Sequence, residues 1–591
     1  MVEATPTLEM VAKMALGWES RCSESHQACT KDNSTSYLPK RVIDVGIDDD
    51  SVPRLYEPVE SISARYVALS YCWGPEGHNL TTTHESLPSH RLGIPLASLP
   101  RTFLQATQLC RLLGVRYIWI DSLCIIQQDQ ADWEYHAARM DSIYGNAWIV
   151  FSASASSNVH QGLLVDRGKA LAGFNAYKLP VDADHLNDIN PAEKGTCNIF
   201  VRRRLPHSTI IPEVVYPNNN CPLLTRGWTF QERLLAKRTL HFLPEELMWE
   251  CESDYCCECM SCHADLSEEG SALDGKGLDP AMLRSSEFNR VMVTNPSHEA
   301  FDRLWRTIVS SYSHRQFTRY EDRLPALWGV ATVIETKSAH MGGYYAGHWG
   351  VNLAMNLMWQ IEEEVRTHGN TPRHDNSTIH ENTRAIPSWA WASTPFPVKW
   401  EIHELGTAQM EAIILETGWT SMPVYSTHSP DTPVKGRVTL EGKLTVATID
   451  TAHFSVWKVA NIDLMEARTS ADPDIVRGRR EAKFYPDVPP GHSTSGSWCP
   501  HNLNKLKIVH HNQLVNIVLM FSYKKRGEGY LARQYSHDLD AEVTYWYGLA
   551  LVESEQLPGA YERVGLIKGR FIGYYSSGWF GGIEKSRIVI V

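Results

Sequence analysis

Three short apolar runs, each closing on small or polar residues, constrain this chain more than any other feature. They are Tyr66-Val-Ala-Leu-Ser-Tyr, which leads into Cys72-Trp-Gly74; Tyr117-Ile-Trp-Ile, which stops at Asp121; and Ala147-Trp-Ile-Val-Phe-Ser-Ala153. Apolar runs of this length, bounded by turn residues, read as strands buried on both faces. Between the first two, Pro100 to Leu113 carries Phe103, Ala106, Leu109 (or Cys110) and Leu113 on one helical face, with Gly114 as its stop. Between the second and third, Trp133, His136/Ala137, Met140 and Ile143/Tyr144 recur at helical spacing behind Asp132, a candidate cap. Crossovers long enough for helices favour parallel pairing. Residues 61–250 are therefore expected to be an α/β domain on a parallel sheet with helices on both faces.

At 591 residues the chain is too long for a single core, and two to four domains are expected. Residues 1–60 read as a lead-in, with a short helix at about 7–18, the motif Cys22-x3-His26-x2-Cys29 and a strand at 41–45. Residues 155–222 are polar and Asn/Pro-rich, an insertion with a short strand at 198–201. The α/β rhythm then resumes as a helix at about 227–236 and a strand at 239–243. Residues 251–290 are a Cys-rich, acidic loop containing Cys251-x4-Cys256-Cys-x-Cys259-x2-Cys262-His263. Residues 291–385 are helical by period and end in a polar linker at 366–384. From 386 to 591, short β-type runs separated by Pro/Gly/Ser turns predict an antiparallel β-rich domain, with a disordered patch at 472–497.

A net charge of −12 and the absence of a Lys/Arg-rich block exclude a dedicated nucleic-acid binder. No apolar run approaches the roughly 18 residues of a membrane span. Glu3, Glu9 and Lys13 make the N-terminus a poor signal peptide, so the 13 cysteines read as mostly reduced thiols in a cytosolic or nuclear setting, with a cytoplasmic location expected. Cys22, His26 and Cys29 need a fourth ligand to hold zinc, and the Cys251–His263 cluster lacks a distant partner pair. Packed thiols are the preferred reading of both, and no cofactor or metal is assigned; zinc at either cluster is the alternative.

Ligands of an open parallel sheet bind at the carboxyl ends of its strands. Here those ends bring Ser70, Tyr71, Trp73 and Gly74 together with Asp121 and Cys124, a natural place for a ligand with hydroxyls and an aromatic ring. Glu232, with Arg226 and Trp228 just before it, is the candidate catalytic carboxylate, able to stabilise an oxocarbenium-like centre in glycosidic cleavage. The competing reading of Glu232 is a capping box with Thr229. Asp121 binds a ribose hydroxyl, orients a partner or caps the following turn, the last being preferred. Cys124, in the apolar run Leu123 to Ile126, also reads as an inert buried thiol.

Tyr66–Gly74, Arg116–Gln127 with Met140-x2-Ile-Tyr144, and Arg226-Gly-Trp-Thr-Phe-Gln-Glu-Arg-Leu-Leu235 resemble the three signature blocks of the fungal heterokaryon incompatibility (HET) domain. The resemblance implies a filamentous fungus and a part in non-self recognition that ends in programmed cell death. HET domains are in turn distantly similar to Toll/interleukin-1 receptor (TIR) domains, which implies a TIR-like, flavodoxin-like sheet. By that similarity Trp228-x3-Glu232 matches the helix of NAD-cleaving TIR enzymes, with Glu232 catalytic and Trp73, Asp121 and Trp228 shaping the pocket. It further implies NAD as a substrate and activity on self-association. The insertion at 155–222 departs from a compact TIR domain. Two other readings stand beside this one: an enzyme of fungal secondary metabolism that reuses the fold, and a non-catalytic switch acting through a protein partner.

Overall fold

The computed structural model describes residues 2, 4–30, 36–48, 50–58, 62–74, 80–168, 171, 177–182, 196–201, 221–259, 283, 285–293, 297–337, 341–362, 386–401, 409–418, 436–450, 461–463, 480–486, 514–526, 542–555, 557–572, 580 and 583–591. The chain forms two compact units, Met1–Thr294 and Asn295–Val591.

The first unit is built on an eight-stranded sheet. Its strands are β1 (Val42–Asp44), β2 (Arg54–Tyr56), β3 (Tyr66–Ser70), β4 (Tyr117–Trp119), β5 (Ile149–Ser152), β6 (Arg238–Phe242), β7 (Leu247–Cys251) and β8 (Tyr255–Cys257). Their spatial order is β8-β7-β6-β5-β3-β4-β1-β2. The four central strands, β4, β3, β5 and β6, are parallel, as the crossover lengths predict. Antiparallel pairs extend the sheet on each side, β1 and β2 beyond β4 and β7 and β8 beyond β6. The sheet is therefore mixed, because Leu243–Glu246 is a tight reversal with no room for a crossover helix.

Every residue of β3 and β5 is buried, which explains their unbroken apolar sequence. Around them lie α1 (Leu8–Ser25), α2 (Arg101–Leu112), α3 (Gln130–Ala137), α4 (Met140–Gly145), α5 (Trp228–Leu234) and α6 (Ser285–Val293). In α2 the expected face is realised: Phe103, Ala106, Leu109 and Cys110 are fully buried. Gly114, at φ +69°, ends it.

Three local expectations are corrected. The first helix runs to Ser25 rather than to about 18, so Cys22 lies in its last turn and His26 is its C-cap. The helix expected behind Asp132 is two helices. Arg139 leaves helical geometry (φ −125°, ψ 10°), and its guanidinium lies 3.9 Å over the Tyr135 ring. The cap of α3 is Asp129, whose side chain accepts from the Asp132 N–H, 3.0 Å. Asp132 instead takes a buried ion pair with Arg41, the Lys40 ammonium at 2.9 Å and the Ile126 N–H at 2.8 Å. These donors hold its carboxyl down at about 2 against the opposing cost of burial.

Within the insertion, Val159 and Leu163 join the core, and Tyr177–Asp182 pairs antiparallel with Thr196–Val201. Residues 202–220 lie outside the described residues, as do Cys262, His263 and the linker at 366–384.

In the second unit, α7 (His298–Ser313) and α8 (Pro325–Lys337) precede an antiparallel-rich sheet. Strands 437–450, 514–526, 542–553, 561–572, 480–486 and 461–463 pair in that order, and the last pairs again with the first, so the ring closes. Such closure removes the exposed edges that an open antiparallel sheet must protect. Of the expected disordered patch, Arg480–Pro486 is this fifth strand. The remainder of 472–497 lies outside the described residues. Trp305, Trp349, Trp359, Trp389 and Trp391 are fully buried here. The indoles of Trp305 and Trp391 both donate to the Gly347 carbonyl, each at 2.9 Å. At φ +92°, with Trp391 where a Cβ would stand, position 347 is reserved for glycine.

Candidate functional site

In chain order the parallel strands run from β3 to β4 on one side, then cross to β5 and β6 on the other. The order reverses between β3 and β5, and in such sheets ligands gather at the carboxyl ends beside that reversal. Ser70 and Ser152 end β3 and β5, and His241, the last residue but one of β6, lies in the same register row.

Glu232 comes to this edge from α5. The Ser70 hydroxyl donates to its carboxylate at 2.5 Å. The Tyr144 hydroxyl lies between that carboxyl and the Leu69 carbonyl, 3.2 Å from the latter. The capping box does not form. Gly227 is the N-cap, and the Thr229 hydroxyl donates to the Leu223 and Arg226 carbonyls, both at 2.9 Å. With 7% of its surface exposed, Glu232 has its carboxyl pKa pushed up to about 7. Burial is the largest cause and the Asp121 charge adds to it, while Ser70, Arg226 and Tyr144 oppose. A buried carboxyl poised near neutrality at the strand ends is the electrostatic mark of a functional group.

Asp121 is not the cap weighed for it: Ile120 is the N-cap of the short helix Asp121–Cys124, and Asp121 is its first residue. It accepts from the Ser122 N–H at 2.6 Å, holding the turn Asp121–Cys124. It also accepts from the Tyr71 hydroxyl at 2.6 Å and the Trp73 indole at 2.8 Å. Desolvation raises its carboxyl pKa, and those three donors oppose the rise. With its lone pairs so engaged, Asp121 positions the two aromatic rings. Tyr71 is further fixed edge-on against Phe103, centroids 5.1 Å apart. The Arg226 guanidinium acts electrostatically on both Glu232 and Asp121 and reaches the Cys72 thiol. Trp228 stands one helical turn before Glu232 and meets Trp133 edge-on at 6.2 Å.

Gly74 turns the chain after Trp73 at φ +95°, and a Cβ there would fall 2.8 Å from the Asn158 Cβ. Gly74→Ala is expected to cost about 1–3 kcal/mol. A thermal midpoint equal to that of the natural protein would contradict the requirement.

Cys124 does not join the group. It is fully buried, accepts from the Ile120 N–H at 3.5 Å, and burial pushes its thiol up to about 12, far from a reactive thiolate. Tyr144 and Cys72, by contrast, belong beside Glu232 although sequence reasoning did not select them as site residues. The legible signal was their place inside the apolar blocks that end at the sheet edge.

Behind Glu232, Arg233 donates to Glu250 from Nε at 2.8 Å and from Nη2 at 3.3 Å. His241 meets the same carboxylate at 3.0 Å, and the Ser285 N–H donates to it at 3.1 Å. The group is buried, and the Arg233 and His241 partners hold the Glu250 carboxyl well below its ordinary range against desolvation.

Among the described residues, two groups of side chains have metal-ligand chemistry. Cys22, His26, Cys29 and Cys251 place their ligand atoms within 4.8 Å of one another, and so do Glu246, Cys257 and Cys259. The second Cys cluster is thus divided, with Cys251 joining the N-terminal motif.

Residues 66–232 match the family model described as heterokaryon incompatibility protein (HET). This stretch, from the first residue of β3 to Glu232 itself, is a HET domain. No curated protein and no solved structure matches the chain. No helix among the described residues is long and apolar enough to cross a membrane.

Proposed function

We propose that the HET domain at residues 66–232 makes this a heterokaryon-incompatibility-type protein and hydrolyses NAD at the nicotinamide–ribose bond. The observation that carries the reading is Glu232, a buried carboxyl held near neutrality at the strand-order reversal. The similarity of Trp228-x3-Glu232 to the catalytic helix of NAD-cleaving TIR enzymes supports it, as does the parallel order 2-1-3-4, shared with flavodoxin-like sheets.

In this mechanism the C1′–N bond of the nicotinamide riboside breaks and nicotinamide leaves with the bonding pair. The ionised Glu232 stabilises the ribosyl oxocarbenium until water adds and releases a proton. Ser70 orients the carboxylate, and Trp73 and Trp228 offer aromatic faces to the flat base. Cleavage by self-associated protein would deplete NAD, a chemical route to programmed cell death in the cytoplasm after non-self recognition.

The test is NAD turnover by the full chain at low and high protein concentration, beside Glu232→Ala. Turnover that rises with concentration and falls roughly a thousandfold in the variant is expected. No turnover at any concentration would reject the enzyme reading in favour of a switch acting by protein contact.

Because Glu232 works ionised, kcat/KM is expected to rise with pH through an inflection near 7 and then level. Ser70→Ala removes a hydrogen bond that favours the anion. It should move the inflection upward by about one pH unit. An inflection that stays in place or moves down would separate Glu232 from the titrating group.

A further inference from the structure

We infer that Cys22, His26, Cys29 and Cys251 together form one zinc site that fastens the N-terminal helix to the antiparallel edge of the sheet. The four ligand atoms already lie within 4.8 Å of one another, three of the four residues are buried, and all three thiols are free. A tetrahedron with zinc–sulfur bonds near 2.3 Å has sulfur–sulfur edges of about 3.7 Å, so a small contraction would seat the ion. Three thiolates and one imidazole is an established structural zinc set.

The local structure explains how residues 222 positions apart converge. Cys22 occupies the last turn of α1, and His26, four residues on, caps it by donating its N–H to the Cys22 carbonyl at 3.1 Å. Residues so spaced face the same side. The short helix Gln27–Thr30 then returns Cys29 to the same point. Cys251 ends β7, where its sulfur lies 3.5 Å from the His26 Nδ1.

The surroundings suit thiolates. The Asp254 N–H donates to the Cys251 sulfur at 3.3 Å, and the Ser253 hydroxyl lies 3.6 Å from the Cys29 sulfur. Such outer donors orient and tune metal-bound sulfur. Zinc with three thiolates and a neutral imidazole carries one net negative charge. The buried Arg238 side chain stands beside it, donating to the Cys29 carbonyl at 3.1 Å. The group Glu246, Cys257 and Cys259 offers three ligands and, among the described residues, no fourth.

The experiment measures zinc in the full chain by elemental analysis after exhaustive dialysis, with X-ray absorption at the zinc edge. About one zinc per chain is expected, with three sulfurs near 2.3 Å and one nitrogen near 2.0 Å. Cys251→Ser should lose it, while Cys257→Ser and Cys124→Ser should keep it. His26→Cys and Cys251→His preserve four ligands and guard against a variant that fails to fold. They should keep the metal with four sulfurs, and with two sulfurs and two nitrogens, respectively. Zinc-free, folded natural protein would overturn the site. So would zinc lost with Cys257 and kept without Cys251, or a sulfur count unchanged in His26→Cys.

Discussion

Glu232→Gln is expected to abolish NAD turnover and, at the same time, to stabilise the protein at alkaline pH. In the unfolded chain this carboxyl has its ordinary value of 4.5, and in the fold it is pushed up to about 7. Below 4.5 both states hold the proton and the group contributes nothing to pH dependence. Between 4.5 and 7 the unfolded chain releases the proton while the fold retains it, so stability falls as pH rises. Above 7 the loss is complete, on the order of 3 kcal/mol. Glutamine is neutral throughout and escapes it. Midpoints of denaturant unfolding for both proteins at pH 4.5 and pH 8 test this. The variant should gain at pH 8 alone, and an equal difference at both pH values would refute a buried, titrating Glu232. A site that sacrifices stability for a poised carboxyl is a recurrent feature of catalytic pockets.

Arg233→Met is expected to destabilise the first unit by about 3–5 kcal/mol, because it strands a buried carboxylate. Glu250 is 1% exposed and takes two hydrogen bonds from Arg233. Its other side-chain partner, His241, has its own pKa lowered by burial. Removing the guanidinium therefore leaves the charge without a counter-ion. The double variant Arg233→Met/Glu250→Leu should recover most of the loss, since a buried ion pair can be replaced by well-packed apolar groups at little cost. The sign with pH is also fixed. A carboxyl held below its ordinary range contributes stability above about 4.5 and loses it as pH falls. The gap between natural protein and Arg233→Met should accordingly narrow in acid, as read by denaturant midpoints. Losses that simply add in the double variant would show that the two residues do not act as a pair.

What was legible from sequence was whatever short-range pattern encodes. Buried parallel strands have unbroken apolar runs, so β3, β4 and β5 were found nearly to the residue. The face of α2 followed from its period. The gathering of Ser70, Tyr71, Trp73 and Asp121 followed from one topological rule about strand ends, whereas Glu232 was singled out by its neighbours Arg226 and Trp228. Long-range electrostatics was not legible. Asp132 has the composition and position of a cap, yet a counter-ion 91 residues earlier draws it away. Glu232 sits three residues after Thr229, as a capping box requires, and a serine 162 residues earlier decides otherwise. Cys22, His26 and Cys29 lacked a fourth ligand because Cys251 reaches them only through the register of β7. That strand belongs to the antiparallel edge, which the α/β pattern did not announce.

The mixed sheet also bears on where the inherited module begins and ends. The HET match covers residues 66–232, but the sheet that buries its core continues on both sides. Outside β4 lies β1 at 42–44, and outside β5 lies β6 at 238–242. A fragment cut at the match boundaries would bare the backbone groups of two central parallel strands, inviting edge-to-edge polymerisation. The unit of folding is therefore wider than the matched segment, and a cut that respects only the narrower one is expected to give an aggregating fragment.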